Sequence, residues 1–362
     1  MFANLKRSRL LVVAIGATAL LAACGSSSKS SSSGTTTPGG SNVSATVNGA
    51  GSSFQKTFNE AAIAAFQDQN SKITVNYDPT GSGAGKSALQ TKTIDFAGTD
   101  SLPKPDELSS YQGGTVLNFP TVAAPITVSY NLPSVKTLQL SGETLAKIFA
   151  GKAKTWDDAS IKADNPGVTL PSTAITIVHR SDSSGTTTNF TKFLTDVAPT
   201  VWTLGSSDTI NWPASTQGGE KNAGVAQLIT QTQGAVGYVD LADATAAKLQ
   251  FASVKNSAGK FVAPTVAGAE AAVANATFNA DLSYDPINAK GADSYPITSP
   301  TWIIAYEKQS KHNTGTALKE FLQFIYSPTG QALAGPSLYA TLPSSAVSQA
   351  VAQLDKFQIP AS

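Results

Sequence analysis

One polar segment carries the residue types that bind or transform an anion: the octet 179–186, His-Arg-Ser-Asp-Ser-Ser-Gly-Thr. It follows a β-branched run at residues 174–178 and precedes apolar residues at helical spacing, which predicts a strand, a short polar loop and a helix. A helix N-terminus carries unpaired N–H groups and the positive end of the helix dipole, so it attracts anions. The Arg180 guanidinium adds a forked donor that suits tetrahedral oxyanions. The alternative is a helix-capping Ser beside a surface ion pair between Arg180 and Asp182.

Three further loops rich in Gly and Ser follow predicted strands. They are residues 49–54 (Gly-Ala-Gly-Ser-Ser-Phe), 80–87 (Thr-Gly-Ser-Gly-Ala-Gly-Lys-Ser) and 98–101 (Gly-Thr-Asp-Ser). Strands and helices alternate from residue 45 onward, which predicts an α/β fold of parallel sheets flanked by helices. Ligands of such sheets bind at the carboxyl ends of the strands. We therefore expect these loops to contribute to one site, although each alone also fits an ordinary capped turn.

Asp100 is an unexpected residue in an anion site, because its carboxylate repels an anion. One interpretation is an N-cap or a side chain that faces solvent. The other is that Asp100 accepts a hydrogen bond from a protonated oxyanion. Hydrogen phosphate carries a proton at neutral pH and sulfate does not, so Asp100 would then exclude sulfate by charge repulsion.

Two alternative functions use the same residues. In a secreted phosphoester hydrolase, Ser183 or Ser184 would be the nucleophile, His179 the base and Asp182 its orienting partner, but the chain has no Gly-x-Ser-x-Gly elbow. In a nucleotide-binding P-loop, Thr80 stands where the motif has its first Gly. With two His and one Cys the chain has few ligands for a transition metal, so we expect no metal and no other cofactor.

The N-terminus has the pattern of a bacterial lipoprotein signal. Basic residues at positions 6, 7 and 9 precede an apolar segment at residues 10–21, which is short for a membrane span. Small residues then lead into Cys24, the only Cys of the chain. We expect residues 1–23 to be removed and Cys24 to carry the lipid that anchors the protein to the cell membrane; the alternative is an ordinary signal peptide and an incidental Cys. Residues 24–42 form a tether rich in Ser, Gly and Thr.

The chain is long enough for two α/β lobes, with 362 residues and a net charge of +1. Basic residues do not cluster beyond the extreme N-terminus, so we expect no nucleic-acid partner. Two extended segments, residues 122–130 and 295–306, are expected to cross between the lobes. The first lobe would then comprise residues 43–127 and 299–362, and the second lobe residues 128–298.

In these motifs, and in those at residues 77–85, 234–239 and 295–299, the chain resembles the phosphate-binding proteins of bacterial phosphate ABC importers, often called PstS. The resemblance implies a two-lobed periplasmic-binding-protein fold of type II, in which each lobe is a mostly parallel sheet with flanking helices and two crossover strands join the lobes. It implies an extracytoplasmic protein without a catalytic step, which binds inorganic phosphate and delivers it to the permease subunits of the importer. Another oxyanion such as sulfate remains an alternative ligand.

The resemblance also implies the residues of the site. Asp100 would accept the proton of the phosphate, and Arg180 would pair with phosphate oxygens and with Asp182, which partly neutralises it. Hydroxyl or backbone N–H donors would come from Ser53, Phe54, Ser82, Ser184, Gly185 and Thr186.

Overall fold

The computed structural model describes residues 43–362, so the predicted signal peptide, the predicted lipidation at Cys24 and the tether lie outside the described residues. Within residues 43–362, no helix is both long enough and apolar enough to cross a membrane. The strands of this part are β1 (Ala45–Gly51), β2 (Ile73–Asp78), β3 (Phe96–Thr99), β4 (Val116–Tyr130), β5 (Gln139–Leu140), β6 (Thr176–Arg180), β7 (Gln217–Gly219), β8 (Ala235–Asp240), β9 (Gln250–Phe251), β10 (Ser253–Lys255), β11 (Phe261–Val262) and β12 (Thr298–Tyr306). The α-helices are α1 (Lys56–Gln69), α2 (Ser82–Gln90), α3 (Gly142–Phe149), α4 (Ala159–Asp164), α5 (Gly185–Val197), α6 (Lys221–Gln231), α7 (Leu241–Ala246), α8 (Val266–Ala274), α9 (His312–Tyr326), α10 (Pro328–Ala332) and α11 (Ser344–Gln353).

Nine strands form one mixed sheet in the order β2-β1-β3-β12-β4-β8-β6-β7, with β9 paired to β4. β1 pairs in parallel with β2 and β3, and β6 pairs in parallel with β7 and β8. The antiparallel pairings of this sheet all involve β4 or β12. The parallel strands therefore fall into two groups, separated by two long strands, which confirms the predicted α/β fold class. A smaller sheet has the order β11-β10-β5.

β4 belongs to both halves of the large sheet. Its residues 116–125 pair with β12, and its residues 126–130 pair with β8. β12 is buried along its whole length. The two segments predicted to be extended lie in β4 and β12, although β12 begins at Thr298 rather than at residue 295.

Two apolar clusters hold the parallel strands in place. α1 carries apolar residues at four-residue spacing, which predicts one buried face, and it does bury Phe58, Ala62 and Phe66. The Phe66 ring packs edge-on against Phe321 with 5.4 Å between centroids. A second cluster lies between α6 and the strands β6 and β8, and includes Val178. These clusters fix β1 and β6, whose carboxyl ends carry two of the predicted loops. Three of the four tryptophans are buried in the core, whereas Trp212 is only half-buried.

β6 extends further than the local sequence pattern predicted. The β-branched run indicated a strand at residues 174–178, but β6 spans Thr176–Arg180, because His179 and Arg180 pair with Gly218 and Gly219 of β7. Arg180 is therefore the last residue of a strand, and the polar loop is residues 181–184. The local sequence pattern also predicts a helix near residues 86–91 and a strand at residues 93–97. In the structure α2 begins earlier, at Ser82, and β3 begins later, at Phe96.

Candidate anion-binding site

The predicted site residues converge at the ends of strands from both halves of the sheet. The loops after β1 and β3 and the start of α2 come from one half, and the end of β6 and the start of α5 come from the other. All eight residues predicted to touch the anion are buried, and the most exposed of their side chains, Ser53, is only 6 % exposed. These residues are Ser53, Phe54, Ser82, Asp100, Arg180, Ser184, Gly185 and Thr186. Polar groups at this depth require hydrogen-bond partners.

Asp100 is a buried carboxyl group at the centre of this cluster, 2 % exposed, and not a capping or solvent-facing residue. The Ser52 hydroxyl donates to its Oδ1 over 2.6 Å, and the Ser82 hydroxyl lies 3.4 Å from its Oδ2. Burial raises the pKa of Asp100 to about 7; the hydrogen bond from Ser52 and the charge of Arg180 act against that rise. The carboxyl group can therefore exist in either protonation state near neutral pH.

Arg180 and Asp182 form a forked ion pair inside the site. The Arg180 Nε donates to Asp182 Oδ1 over 2.8 Å and Nη2 donates to Oδ2 over 2.5 Å, with the Arg180 side chain 1 % exposed. Its remaining nitrogen, Nη1, lies 3.3 Å from the Thr186 hydroxyl. Burial alone would raise the pKa of Asp182, but the hydrogen bonds and charge of Arg180 hold it below its usual value. The pair is close to neutral, so it adds little net positive charge.

The start of α5 presents a helix N-terminus to the cluster. The Ser184 hydroxyl caps the helix by accepting from the Thr187 N–H over 3.3 Å. A Cβ added to Gly185 would lie 2.8 Å from both the Asp100 Cβ and the Ser82 Oγ, which is closer than a side chain can approach. Glycine therefore allows the two halves of the molecule to meet at this point, next to the first turn of α5, whose N–H groups have no partner within the helix.

Ser53 and Phe54 lie in the short segment between β1 and α1. The Ser53 hydroxyl accepts from the backbone N–H and the side-chain amide of Asn222, over 3.3 and 3.2 Å. The Phe54 N–H donates to the Ser52 Oγ over 3.0 Å. Ser53 thus contacts the opposite half of the sheet, and Phe54 contacts the hydroxyl that donates to Asp100.

Comparison with known proteins identifies the family. A model of the PBP superfamily domain matches residues 36–329. The chain is 36 % identical over 314 residues to the phosphate-binding protein PstS of Pasteurella multocida, with 85 % of this chain and 89 % of the relative covered. It is 33 % identical to the phosphate-binding protein PstS 2 of Mycobacterium tuberculosis, with 87 % of this chain and 89 % of the relative covered. The chain belongs to the PstS family.

Solved structures with the same fold are also phosphate-binding proteins. The PfluDING structure, a periplasmic phosphate-binding protein with bound phosphate, has a TM-score of 0.70 at 21 % identity and covers 85 % of this chain and 93 % of its own. The phosphate-binding protein of Stenotrophomonas maltophilia has a TM-score of 0.67 at 20 % identity, with the same two coverages. The fold is thus the type II periplasmic-binding-protein fold, and the resemblance to PstS seen in the motifs is confirmed.

Two asparagines join the cluster without having been predicted. Asn222, fully buried, contacts Ser53 and lies 3.4 Å from the Thr186 hydroxyl. Asn189 donates from its amide to the Asp100 carbonyl over 2.7 Å and to the Ser299 hydroxyl over 2.9 Å. The signal for Asn222 was available, because Gly218 and Gly219 end β7 and form a further glycine-containing turn from strand to helix.

The residues of the hydrolase alternative have other partners in this member of the PstS family. His179 Nδ1 lies 2.8 Å from the Arg180 carbonyl oxygen, and its ring stacks on Trp212 with 4.9 Å between centroids. Asp182 pairs with Arg180 instead of orienting His179. Ser184 caps α5. The three groups are therefore not arranged as a nucleophile, a base and its orienting acid.

The segment that resembles a P-loop does not have the arrangement of a nucleotide-binding loop. Residues 82–90 are the helix α2, and the Lys86 ammonium pairs with Asp208 over 2.7 Å. Across residues 43–362, no group of three or more His, Cys, Asp or Glu side chains is placed to hold a metal ion.

Proposed function

We propose that this protein binds inorganic phosphate outside the cytoplasmic membrane and delivers it to the permease subunits of a phosphate ABC importer. The observation that carries the proposal is the buried Asp100 carboxyl group among hydroxyl and N–H groups from both halves of the sheet. A carboxylate in such a place is favourable when the anion brings a proton of its own. Hydrogen phosphate does so and sulfate does not. The names of the relatives, all phosphate-binding proteins, support the same ligand.

The charge of the bound anion would be stabilised mainly by dipoles. Asp182 neutralises most of the Arg180 charge, so the remaining attraction comes from hydroxyl groups and from the N-terminus of α5. We assign as phosphate ligands the residues that the sequence predicted, with Asp182 holding the Arg180 guanidinium. The phosphate ligands in this assignment are Ser53, Phe54, Ser82, Asp100, Arg180, Ser184, Gly185 and Thr186.

We further propose that phosphate binds between two lobes, residues 43–127 with 299–362 and residues 128–298. The change of partner along β4, from β12 to β8 after residue 125, supports a boundary in this strand. Gly185 of the second lobe and Asp100 of the first are in contact range, which is consistent with a closed form. Closure would be favoured by phosphate because the anion contacts both lobes.

The proposal also includes a lipid anchor on Cys24 after removal of residues 1–23. The support is the sequence pattern alone: a basic start, a short apolar segment and small residues before a single Cys. An anchor of this kind, followed by the tether at residues 24–42, would keep the binding protein close to the importer.

Titration calorimetry at pH 8 with phosphate and with sulfate tests the ligand. We expect sulfate to bind at least about 100-fold more weakly than phosphate, because a like charge set against the anion costs several kcal/mol. Asp100→Asn should reduce the difference between the phosphate and sulfate affinities, because it removes the carboxylate charge that repels sulfate. Absence of phosphate binding would overturn the function, and equal affinities for the two anions would overturn the role of Asp100.

A further inference from the structure

Lys86 and Asp208 form an ion pair across the cleft between the lobes. The Lys86 Nζ on α2 lies 2.7 Å from the Asp208 Oδ2, and the two side chains are 10 % and 17 % exposed. Lys86 comes from the first lobe and Asp208 from the second, 122 residues later in the chain. Lys86 belongs to the Gly-Lys-Ser sequence that suggested a P-loop, and the proposed phosphate site does not use it.

The Asp208 carboxylate contacts both lobes. Its Oδ1 accepts from the Ser101 hydroxyl of the first lobe over 2.7 Å and also from the Thr188 hydroxyl of α5 in its own lobe. Burial alone would raise the pKa of Asp208, but the charge and hydrogen bond of Lys86 hold it below its usual value. The carboxylate is therefore ionised at neutral pH, and its ion pair is intact there.

Asp208 is also connected to the proposed phosphate site through its backbone. Its carbonyl oxygen accepts from the Ser184 N–H over 2.9 Å, and Ser184 is the cap of α5. Lys86, Asp100 and Asp208 line one cavity of about 540 Å³. Asp208 thus contacts the N-terminus of α5 through its main chain and the opposite lobe through its side chain.

From these contacts we infer that Lys86 and Asp208 are positioning residues that hold the lobes closed over the ligand. The inference rests on the proposed phosphate binding. The ion pair can exist only while the lobes are together, because opening separates Lys86 and Ser101 from Asp208. Its free energy therefore favours the closed form and no other. Phosphate leaves from the open form, so loss of the pair should accelerate dissociation more than it changes the rate of association.

The test compares phosphate association and dissociation rates of the wild-type chain and Lys86→Met by stopped-flow measurements. We expect dissociation about tenfold faster in Lys86→Met and association changed less than about twofold. Lys86→Arg should retain most of the wild-type dissociation rate, because it keeps the charge. The matched control is Lys147→Met, which removes an ion pair of 2.8 Å with Glu143 inside α3 and should leave both rates unchanged.

Two outcomes would overturn the inference. The first is a wild-type dissociation rate in Lys86→Met. The second is an equal acceleration in Lys147→Met, which would indicate a general loss of stability.

A second measurement separates the inference from the proposed function. If the wild-type chain does not bind phosphate, the proposed function fails. Small-angle X-ray scattering of the ligand-free chains then tests whether the ion pair between Lys86 and Asp208 holds the lobes together. A larger radius of gyration in Lys86→Met than in the wild type supports the inference, and equal radii overturn it.

Discussion

The Ser52 hydroxyl donates a hydrogen bond of 2.6 Å to Oδ1 of Asp100, and both side chains are almost completely buried. The same hydroxyl oxygen accepts from the Phe54 N–H, so its single proton is directed at the carboxylate. Oδ2, which lies near Ser82, is then the oxygen left for a proton on the anion. Ser52 therefore favours the ionised form of Asp100 and determines which of its oxygens faces the ligand.

Replacing Ser52 should weaken discrimination between phosphate and sulfate. Ser52→Ala removes a hydrogen bond to the charged form of Asp100, so the pKa of Asp100 should rise above its present value of about 7. At pH 7 a larger fraction of the Asp100 carboxyl groups is then protonated, and a protonated Asp100 no longer repels sulfate. Competition titration at pH 7 should show tighter sulfate binding in Ser52→Ala and wild-type behaviour in Ser52→Thr, which keeps the hydroxyl. Unchanged sulfate affinity in Ser52→Ala would contradict this role.

The stability of the ligand-free protein should depend on Asp100 in the mildly acidic range. A carboxyl group with a raised pKa in the folded state contributes stability at low pH and loses it as the pH rises through the folded value. For Asp100 this interval runs from about 4, the ordinary carboxyl value, to about 7. Burial also raises the pKa of Asp240, which adds a slope of the same sign. The free energy of unfolding, measured with urea at several pH values, should therefore fall as the pH rises from about 4 to about 7, and it should fall less steeply in Asp100→Asn than in the wild type. Identical slopes in the two proteins would refute the prediction.

Removing the Arg180 guanidinium should weaken phosphate binding strongly. Arg180→Ala removes a charged donor, worth about 1.5–3 kcal/mol, and leaves Asp182 without the partner that neutralises it. Calorimetry should show an affinity lower by about ten- to 100-fold or more. Lys162→Ala, which removes an exposed ion pair with Asp157, serves as the control and should bind normally. Wild-type affinity in Arg180→Ala would exclude this residue from the site.

A methyl group at position 185 should prevent full closure. In Gly185→Ala the new Cβ would lie 2.8 Å from Asp100 and from Ser82, so the lobes would have to remain slightly apart. We expect weaker phosphate binding without a loss of thermal stability in the ligand-free protein. Gly224→Ala in the helix α6 is the matched control, because a Cβ there has its nearest neighbour, the carbonyl carbon of Gly219, at an ordinary distance of 3.4 Å. Equal phosphate affinities in the two variants would contradict the close approach at Gly185.

The proposed lipid anchor can be tested with the Cys24 thiol. Cys24→Ser cannot be acylated at this position, so the protein should leave the detergent phase in a phase-partition experiment on the expressing cells. The wild-type chain should remain in that phase. Retention of a processed Cys24→Ser chain with the detergent would show that something other than this residue holds the protein at the membrane.

The parts of the site that lie in local sequence motifs could be predicted from the sequence. The loops at residues 49–54 and 98–101 and the octet were recognisable because each joins a strand to a polar turn. Asp208 was missed, because its importance depends on a contact with Lys86, which is far away in the chain. Asn222 was missed although the glycine pair before it marks a turn from strand to helix, and its contact with the distant Ser53 could not be read from that turn. The end of β6 was misplaced for the same reason: its last two residues are held by pairing with β7, which no local periodicity reveals.

The shared strand β4 has a consequence for folding. Because residues 116–125 are hydrogen-bonded to β12 and residues 126–130 to β8, a cut at residue 128 would leave each fragment with an incomplete sheet and an unpaired edge. The two halves should therefore unfold together in a single cooperative transition, although we propose that they move apart when phosphate leaves.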